Sequence, residues 1–174
     1  RRYDVKKVVI TTTPYKLGAY EDILQQMRKN HVPILTPSQT TNITLDDVVI
    51  ELLWPRARDF GREFNEVNDA SIVLRIVTKN SSILFTGDME TAAENALLQT
   101  GVDLHADILK IAHHGSRSST SSGFLLAVQP KLAVISVGKD NSYGHPHSWI
   151  LKRLEHFGIP VRRTDLEGDI HLQL

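Results

Sequence analysis

Eight histidines are spread along 174 residues, and four of them fall in two short stretches, His113-His114 and His145-Pro146-His147. Each stretch follows an apolar segment that reads as a buried strand. A third stretch of the same kind, Thr86-Gly87-Asp88, closes the apolar run Ile83 to Phe85. Loops just beyond strand ends are where a layered α/β protein gathers side chains around a ligand, because the sheet holds them and the loop exposes them. Together the three loops offer one carboxylate and up to four imidazoles. With no cysteine in the chain, thiolate metal sites, cysteine nucleophiles and disulfides are excluded, so a bound metal would take histidine and carboxylate ligands.

Each candidate also has a plainer use. Asp88 is placed to cap the helix that should follow it, while Gly87 lets the backbone turn tightly enough to present the carboxylate as a ligand. On an extended backbone His113 and His114 point to opposite faces, so one is a ligand and the other structural. The run Gly115-Ser116-Arg117-Ser118-Ser119-Thr120-Ser121-Ser122 has too little apolar content to pack. It offers amides, hydroxyls and one cation suited to a phosphate, or else it is a solvated loop ending in a helix cap. In Asn141-Ser142-Tyr143-Gly144-His145, His145 is the functional residue to back, with Asn141 and Tyr143 as polar contacts or as a turn residue and a packed aromatic. Ser116, Arg117, Asn141 and Tyr143 are the candidate substrate contacts. His147 falls in a first helical turn facing solvent, and His31, His105, His156 and His171 have no such company.

The elements that must position these loops follow from apolar spacing. A buried strand is expected over Val5 to Thr11 and a helix over Leu17 to Lys29. A short apolar segment at His31 to Leu35 precedes strands in Ile43 to Leu53 that turn at Asp46-Asp47. Trp54 to Asp69 reads as a polar loop, Ser71 to Thr78 and Ile83 to Thr86 as a hairpin, and Glu90 to Gln99 as a helix stopped by Gly101. Strand Ala106 to Ala112, helix Gly123 to Val128, strand Leu132 to Val137, helix His147 to Phe157 and two short strands, Val161 to Thr164 and Asp169 to Leu172, complete the chain. Hairpins mixed with strand–helix alternation predict an α/β domain with mixed sheets.

Bulk properties narrow the class. A chain of this length suits one domain that buries roughly 70% of its unfolded surface. Lysine plus arginine equal aspartate plus glutamate at 20 each, so any contact with a polyanion must be local. No run approaches the ~18 apolar residues of a membrane span, and the opening Arg1-Arg2-Tyr3-Asp4 does not lead into a signal-peptide core. The expectation is a domain soluble as given, without a small-molecule organic cofactor.

Five segments in order, Asn68-Asp69-Ala70-Ser71-Ile72-Val73-Leu74-Arg75, Leu84-Phe85-Thr86-Gly87-Asp88, Leu109-Lys110-Ile111-Ala112-His113-His114-Gly115-Ser116, Asn141-Ser142-Tyr143-Gly144-His145-Pro146 and Arg163-Thr164-Asp165-Leu166-Glu167-Gly168, resemble the metallo-β-lactamase-like domain of the ComEC DNA-uptake channel proteins. The resemblance covers about two-thirds of the chain. It implies an αββα sandwich with one or two zinc or manganese ions at one edge of its paired sheets. Asp88 would be the bridging ligand, His113 or His114 an imidazole ligand, and His145 a ligand or substrate contact, with catalysis resting on Asp88 and His145. The chemistry implied is phosphodiester hydrolysis, with DNA, as a single strand, for substrate. The partner implied is the rest of a membrane-embedded channel, with this domain outside the cytoplasm. An H-x-(H/D)-x-D-H cluster that the resemblance calls for occurs nowhere in the sequence. The expectation is therefore a sandwich incomplete on its N-terminal side, with metal weakly bound or absent. A non-cutting DNA- or partner-binding domain, or a stand-alone phosphoesterase, is the alternative.

Overall fold

The computed structural model describes residues 4–11, 18–37, 42–56 and 66–173. The expected helix start at Leu17, the opening Arg1-Arg2-Tyr3 and the middle of the expected loop, 57–65, lie outside the described residues.

The elements run β1 (Val8–Val9), α1 (Gly18–Lys29), β2 (Ile34–Leu35), β3 (Asn42–Leu45), β4 (Val48–Trp54), β5 (Val73–Val77), β6 (Ser82–Phe85), α2 (Thr91–Leu98), β7 (Ile108–Lys110), α3 (Ser122–Val128), β8 (Leu132–Ile135), α4 (Ser148–His156), β9 (Val161–Arg163) and α5 (Thr164–Glu167). Seven strands form one sheet in sequence order from β3 to β9. β3 to β6 are antiparallel, and β6 to β9 are parallel. The mixed sheet expected from the sequence is present. β1 and β2 form a separate parallel pair.

The chemistry of each crossover sets the sheet. Parallel neighbours need a connection long enough to return along the sheet, and α2, α3 and α4 supply it between β6, β7, β8 and β9. All three pack on one sheet face. Leu84, Leu109, Ala133 and Ile135 from the strands meet Ala93 and Leu97 of α2, Phe124, Leu125 and Val128 of α3, and Ile150 and Leu154 of α4 in a single buried cluster. Each fully buried Leu, Ile or Phe there contributes about 1.5–3 kcal/mol of transfer free energy. α2 is short and Ala-rich, α3 is capped by Ser121 accepting from the Phe124 amide at 3.2 Å, and α4 is capped by His147.

The opposite face carries a second set of apolar side chains. Strand register puts Ile50, Ile76, Ile83, Ile108 and Leu132 in one row, and Leu52, Leu74, Phe85, Lys110 and Val134 in the next. Phe85 in that row is 36% exposed. This face is less fully covered than the helix side.

Four expectations are corrected. Val5 to Thr11 is not a buried strand: among the described residues only Val8–Val9 pair, with β2, and Val5 is half exposed. Trp54 belongs to β4 and the core, its indole N–H donating to the Asp69 carbonyl at 2.8 Å, and Val67–Ala70 form a 3-10 turn, so both ends of the expected polar loop are ordered. Asp169 to Leu172 is not a strand. The chain after β9 winds into α5 because Asp165 and Glu167 fold back on Arg163 and Arg162, and the Arg162 side chain, not a strand ladder, reaches the His171 carbonyl at 3.3 Å. The serine-rich run does pack: Ser116, Ser119 and Thr120 are buried, through polar bonds rather than apolar area. Among the described residues no helix is long and apolar enough to cross a membrane.

Candidate functional site

Because β6, β7 and β8 are parallel, their C-terminal ends open on one edge, and the antiparallel β5 begins there too. The loops after those three strands are the ones that carry Asp88, His113-His114 and His145. The structure brings all four side chains to this edge.

Asp88 does not cap α2; the N-cap is Glu90, which makes no side-chain cap bond. Gly87 takes φ +55°, and a Cβ there would lie 2.8 Å from the Ser71 Cβ, so only glycine allows the turn to press against the start of β5. The Ser71 hydroxyl accepts from the Asp88 amide at 3.0 Å. The carboxylate then points at two basic groups. Its Oδ1 lies 3.6 Å from His114 Nε2 and 4.0 Å from Lys110 Nζ.

The two histidines are not on an extended backbone. His113 (φ 46°, ψ 45°) and His114 (φ 55°, ψ 21°) form a left-handed turn, a conformation that costs of order 1 kcal/mol or more per residue and is typical of positions constrained for function. Backbone bonds hold it: the His113 amide donates to Gly87 O at 3.1 Å, Ser116 N to His113 O at 2.8 Å, and His147 N to Gly115 O at 2.9 Å. The rings go to different partners. His114 Nδ1 sits 2.6 Å from the Ser136 carbonyl, which can only accept, so Nδ1 carries a proton and Nε2 is the nitrogen that faces Asp88. His113 Nδ1 lies 3.2 Å from Glu90 Oε1 but out of hydrogen-bond geometry, and among the described residues that buried nitrogen has no hydrogen-bond partner. Glu90 itself is oriented by Asn68 Nδ2, which donates at 3.2 Å, and by its amide donating to Asp69 at 3.1 Å.

His145 meets His113 with ring centroids 5.7 Å apart, and Tyr143, 81% exposed, stacks on it at 5.8 Å and 24°. Burial first, then the neighbouring His113, His114 and His147, push the His145 pKa below the usual imidazole value, with Asp88 pulling the other way. That direction favours the neutral imidazole, the form a ligand or base requires. Asn141 braces the loop: its amide donates to Gly138 O and His145 O and accepts from His145 N. His147 is not merely solvent-facing; its Nδ1 accepts from the Trp149 amide at 3.3 Å.

The serine-rich loop is stapled from two helices. Glu94, fully buried, accepts from the backbone amides of Thr120 and Ser121, while Arg153 donates to Thr120 O at 2.7 Å. Ser116 is tied to Ser118, and Arg117 is exposed. The amides of Thr120 and Ser121 are thus committed to Glu94 rather than offered to an external anion. A cleft of about 440 Å3 leads from Asp88 past Ser71 and Ile72 to Thr11 and Tyr20.

The donor set fits a metal in part. Two ligand atoms on a tetrahedral ion with bonds of about 2.1 Å stand about 3.4 Å apart, close to the Asp88–His114 spacing. A ligand histidine that donates its other ring N–H to a backbone carbonyl is the usual supporting arrangement. Yet among the described residues no three His, Asp or Glu side chains gather as a group able to hold an ion. Sequence reasoning missed Glu90, Lys110, Glu94 and Arg153. Lys110 left a signal, a lone cation inside the apolar run Ile108 to Ala112; the others needed the fold.

No family model matches the chain. It is 35% identical over 170 residues, 98% of its length, to "ComE operon protein 3" of Bacillus subtilis, of which it covers 21%. It is 38% identical over 130 residues, 74% of its length, to "Competence protein ComA" of Neisseria gonorrhoeae, of which it covers 18%. It is 33% identical over 105 residues, 60% of its length, to "Recombination protein 2" of Haemophilus influenzae, of which it covers 13%. The chain is homologous to a segment of these proteins and spans about a fifth or less of their length.

Proposed function

We infer that this chain is a metal-dependent hydrolase domain acting on phosphodiester bonds of DNA in the context of competence. The observation that carries the reading is the pair Asp88 Oδ1 and His114 Nε2, 3.6 Å apart, a spacing that suits two ligands of one cation. Homology to competence proteins supports DNA as the substrate. The partly exposed apolar face around Phe85 supports a second sheet packing there, as in an αββα sandwich. Zinc or manganese suits an imidazole–carboxylate set. The chemistry such an ion supplies is a bound water with a pKa near 7 and a polarised phosphoryl oxygen. Asp88 and His114 would hold it, with His113 and His145 lining the approach and Tyr143 offering an exposed ring on which an unpaired base can stack.

A second reading is favoured by one observation, the lack of a three-residue ion-holding group among the described residues. In it the chain holds DNA or a protein partner without cutting. One experiment separates the two: labelled single- and double-stranded oligonucleotides incubated with the chain and manganese, followed on a denaturing gel. Hydrolysis that is abolished by chelator and by Asp88→Asn, with a fall of at least about 100-fold, is expected of the hydrolase. Retarded but intact DNA in all arms supports the binding domain, and cutting by Asp88→Asn at the wild-type rate overturns the assignment of Asp88.

A further inference from the structure

The chain has two tryptophans, and the fold treats them in opposite ways. Trp54 is 1% exposed and donates its indole N–H to the Asp69 carbonyl, whereas Trp149 is 58% exposed and, among the described residues, its indole N–H meets no acceptor. Trp149 is the second residue of α4, directly after the loop that carries Tyr143 and His145, and the N-cap His147 is tied to Gly115 O. It therefore stands at the same edge of the sheet as those residues. Ile150 and Leu154 turn from α4 into the core. At about 100° per residue, Lys152 and Arg153 fall within about 60° of Trp149, and Glu155 lies about 120° away. The outer stripe at the start of α4 is thus an indole with two cations, and α4 itself adds no carboxylate to it. Arg153 leans onto the serine-rich loop, donating to Thr120 O at 2.7 Å, and Ser118 O of that loop accepts from the Thr91 hydroxyl at the start of α2. The loop is held beside α4 in this way, and its one cation, Arg117, is exposed, as is Lys152.

Resting on the reading above that the chain engages DNA, and needing no metal ion, we propose that the start of α4 is a base-stacking surface for a single-stranded nucleic acid: an unpaired base lies on the Trp149 indole while Lys152 and Arg117 meet phosphates beside it. A protein partner asks for a contiguous apolar patch, and on α4 the exposed neighbours of Trp149 are Ser148 and Lys152. One aromatic face among cations suits instead a polyanion in which every unit carries a flat ring. A duplex keeps those rings in its own stack, so the surface takes a single strand. Tyr143, stacked on His145 six residues earlier, offers a second exposed ring at the same edge.

Tryptophan emission reads the contact directly, because Trp54 is buried and serves as an internal reference. A short single-stranded thymidine oligonucleotide is titrated into the wild-type chain, Trp149→Phe, Trp149→Ala and Lys152→Gln, with chelator present so that nothing is cut. Affinity is followed by fluorescence anisotropy of the labelled strand, and folding by urea unfolding. Wild-type emission should be quenched at saturation, while that of Trp149→Phe, which comes from Trp54 alone, should not change. Trp149→Ala should weaken binding about tenfold and Trp149→Phe about threefold or less, since a smaller ring still stacks. An abasic strand of the same length should bind wild type and Trp149→Ala alike, because it has phosphates but no ring. Lys152→Gln should flatten the slope of log affinity against log salt by about one unit. Unquenched wild-type emission at saturation, or Trp149→Ala binding like wild type, overturns the proposal. So does quenching by anionic phosphatidylglycerol vesicles but not by the oligonucleotide, the result that a membrane-facing indole gives. No oligonucleotide binding at all by anisotropy sinks the DNA reading itself, a failure distinct from that of Trp149.

Discussion

Gly115 sits at φ +82°, directly after the two left-handed histidines, and a Cβ on it would lie 2.7 Å from the Cβ of Pro146. The loop carrying His113 and the loop carrying His145 touch there backbone to ring. Nothing larger than hydrogen leaves the two imidazoles 5.7 Å apart. Gly115→Ala combines a disfavoured φ with a steric clash, so a loss of about 2–3 kcal/mol is expected in urea unfolding. The more specific readout is the His113 and His145 imidazole resonances, which should both move, while a mutation of equal cost in β3 leaves them in place. Unmoved imidazoles would mean that the two loops are positioned independently.

At the scale of elements, α2 and α4 both hold the loop that follows His114. The Glu94 carboxylate, fully buried, takes the amides of Thr120 and Ser121, and Arg153 takes carbonyls from the same turn, where Thr120 is at φ 53°. Glu94→Ala leaves two buried amides without acceptors and should cost about 3 kcal/mol. Desolvation raises the Glu94 pKa above its ordinary value, outweighing the loop amides and Arg153 that pull it down. A carboxyl whose folded pKa is raised contributes stability that is fully present below its unfolded pKa and declines as pH rises through the folded one. The stability gap between wild type and Glu94→Ala should therefore be wider near pH 4.5 than at pH 8. Urea midpoints taken across that range check the sign, and a gap that widens toward alkaline pH would show that the amides dominate instead.

For the molecule as a whole, equal numbers of acidic and basic residues leave no net charge to draw DNA from a distance. On the proposed reading, binding comes from a few contacts at one edge of the sheet. The slope of log affinity against log salt should then be shallow, and the exposed Arg117 should account for about one unit of it. Arg117→Ala tested by anisotropy at several salt concentrations is expected to weaken binding and flatten the slope by about that amount. An unaltered slope would remove the serine-rich loop from the path of the nucleic acid.

Strand and helix identities from β5 to β9 were legible because apolar spacing and glycine stops are local, whereas α5 and the absence of a strand over 169–172 were not. The grouping of Asp88, His113, His114 and His145 was legible too, since each follows an apolar strand and parallel strands end on one edge. The first third was less legible: Val5 to Thr11 is β-branched, yet whether such a run is buried depends on what lies beside it, and among the described residues β2 is the one strand it pairs with. Serine composition likewise implied a loose loop, whereas Glu94 and Arg153, 26 residues before Thr120 and 33 after it, tie that loop down. What tertiary structure alone decided is which nitrogen faces which oxygen. The Ser136 carbonyl selects the His114 tautomer and the β7 register sets Lys110 beside Asp88, because hydrogen-bond direction and strand register depend on partners distant in sequence.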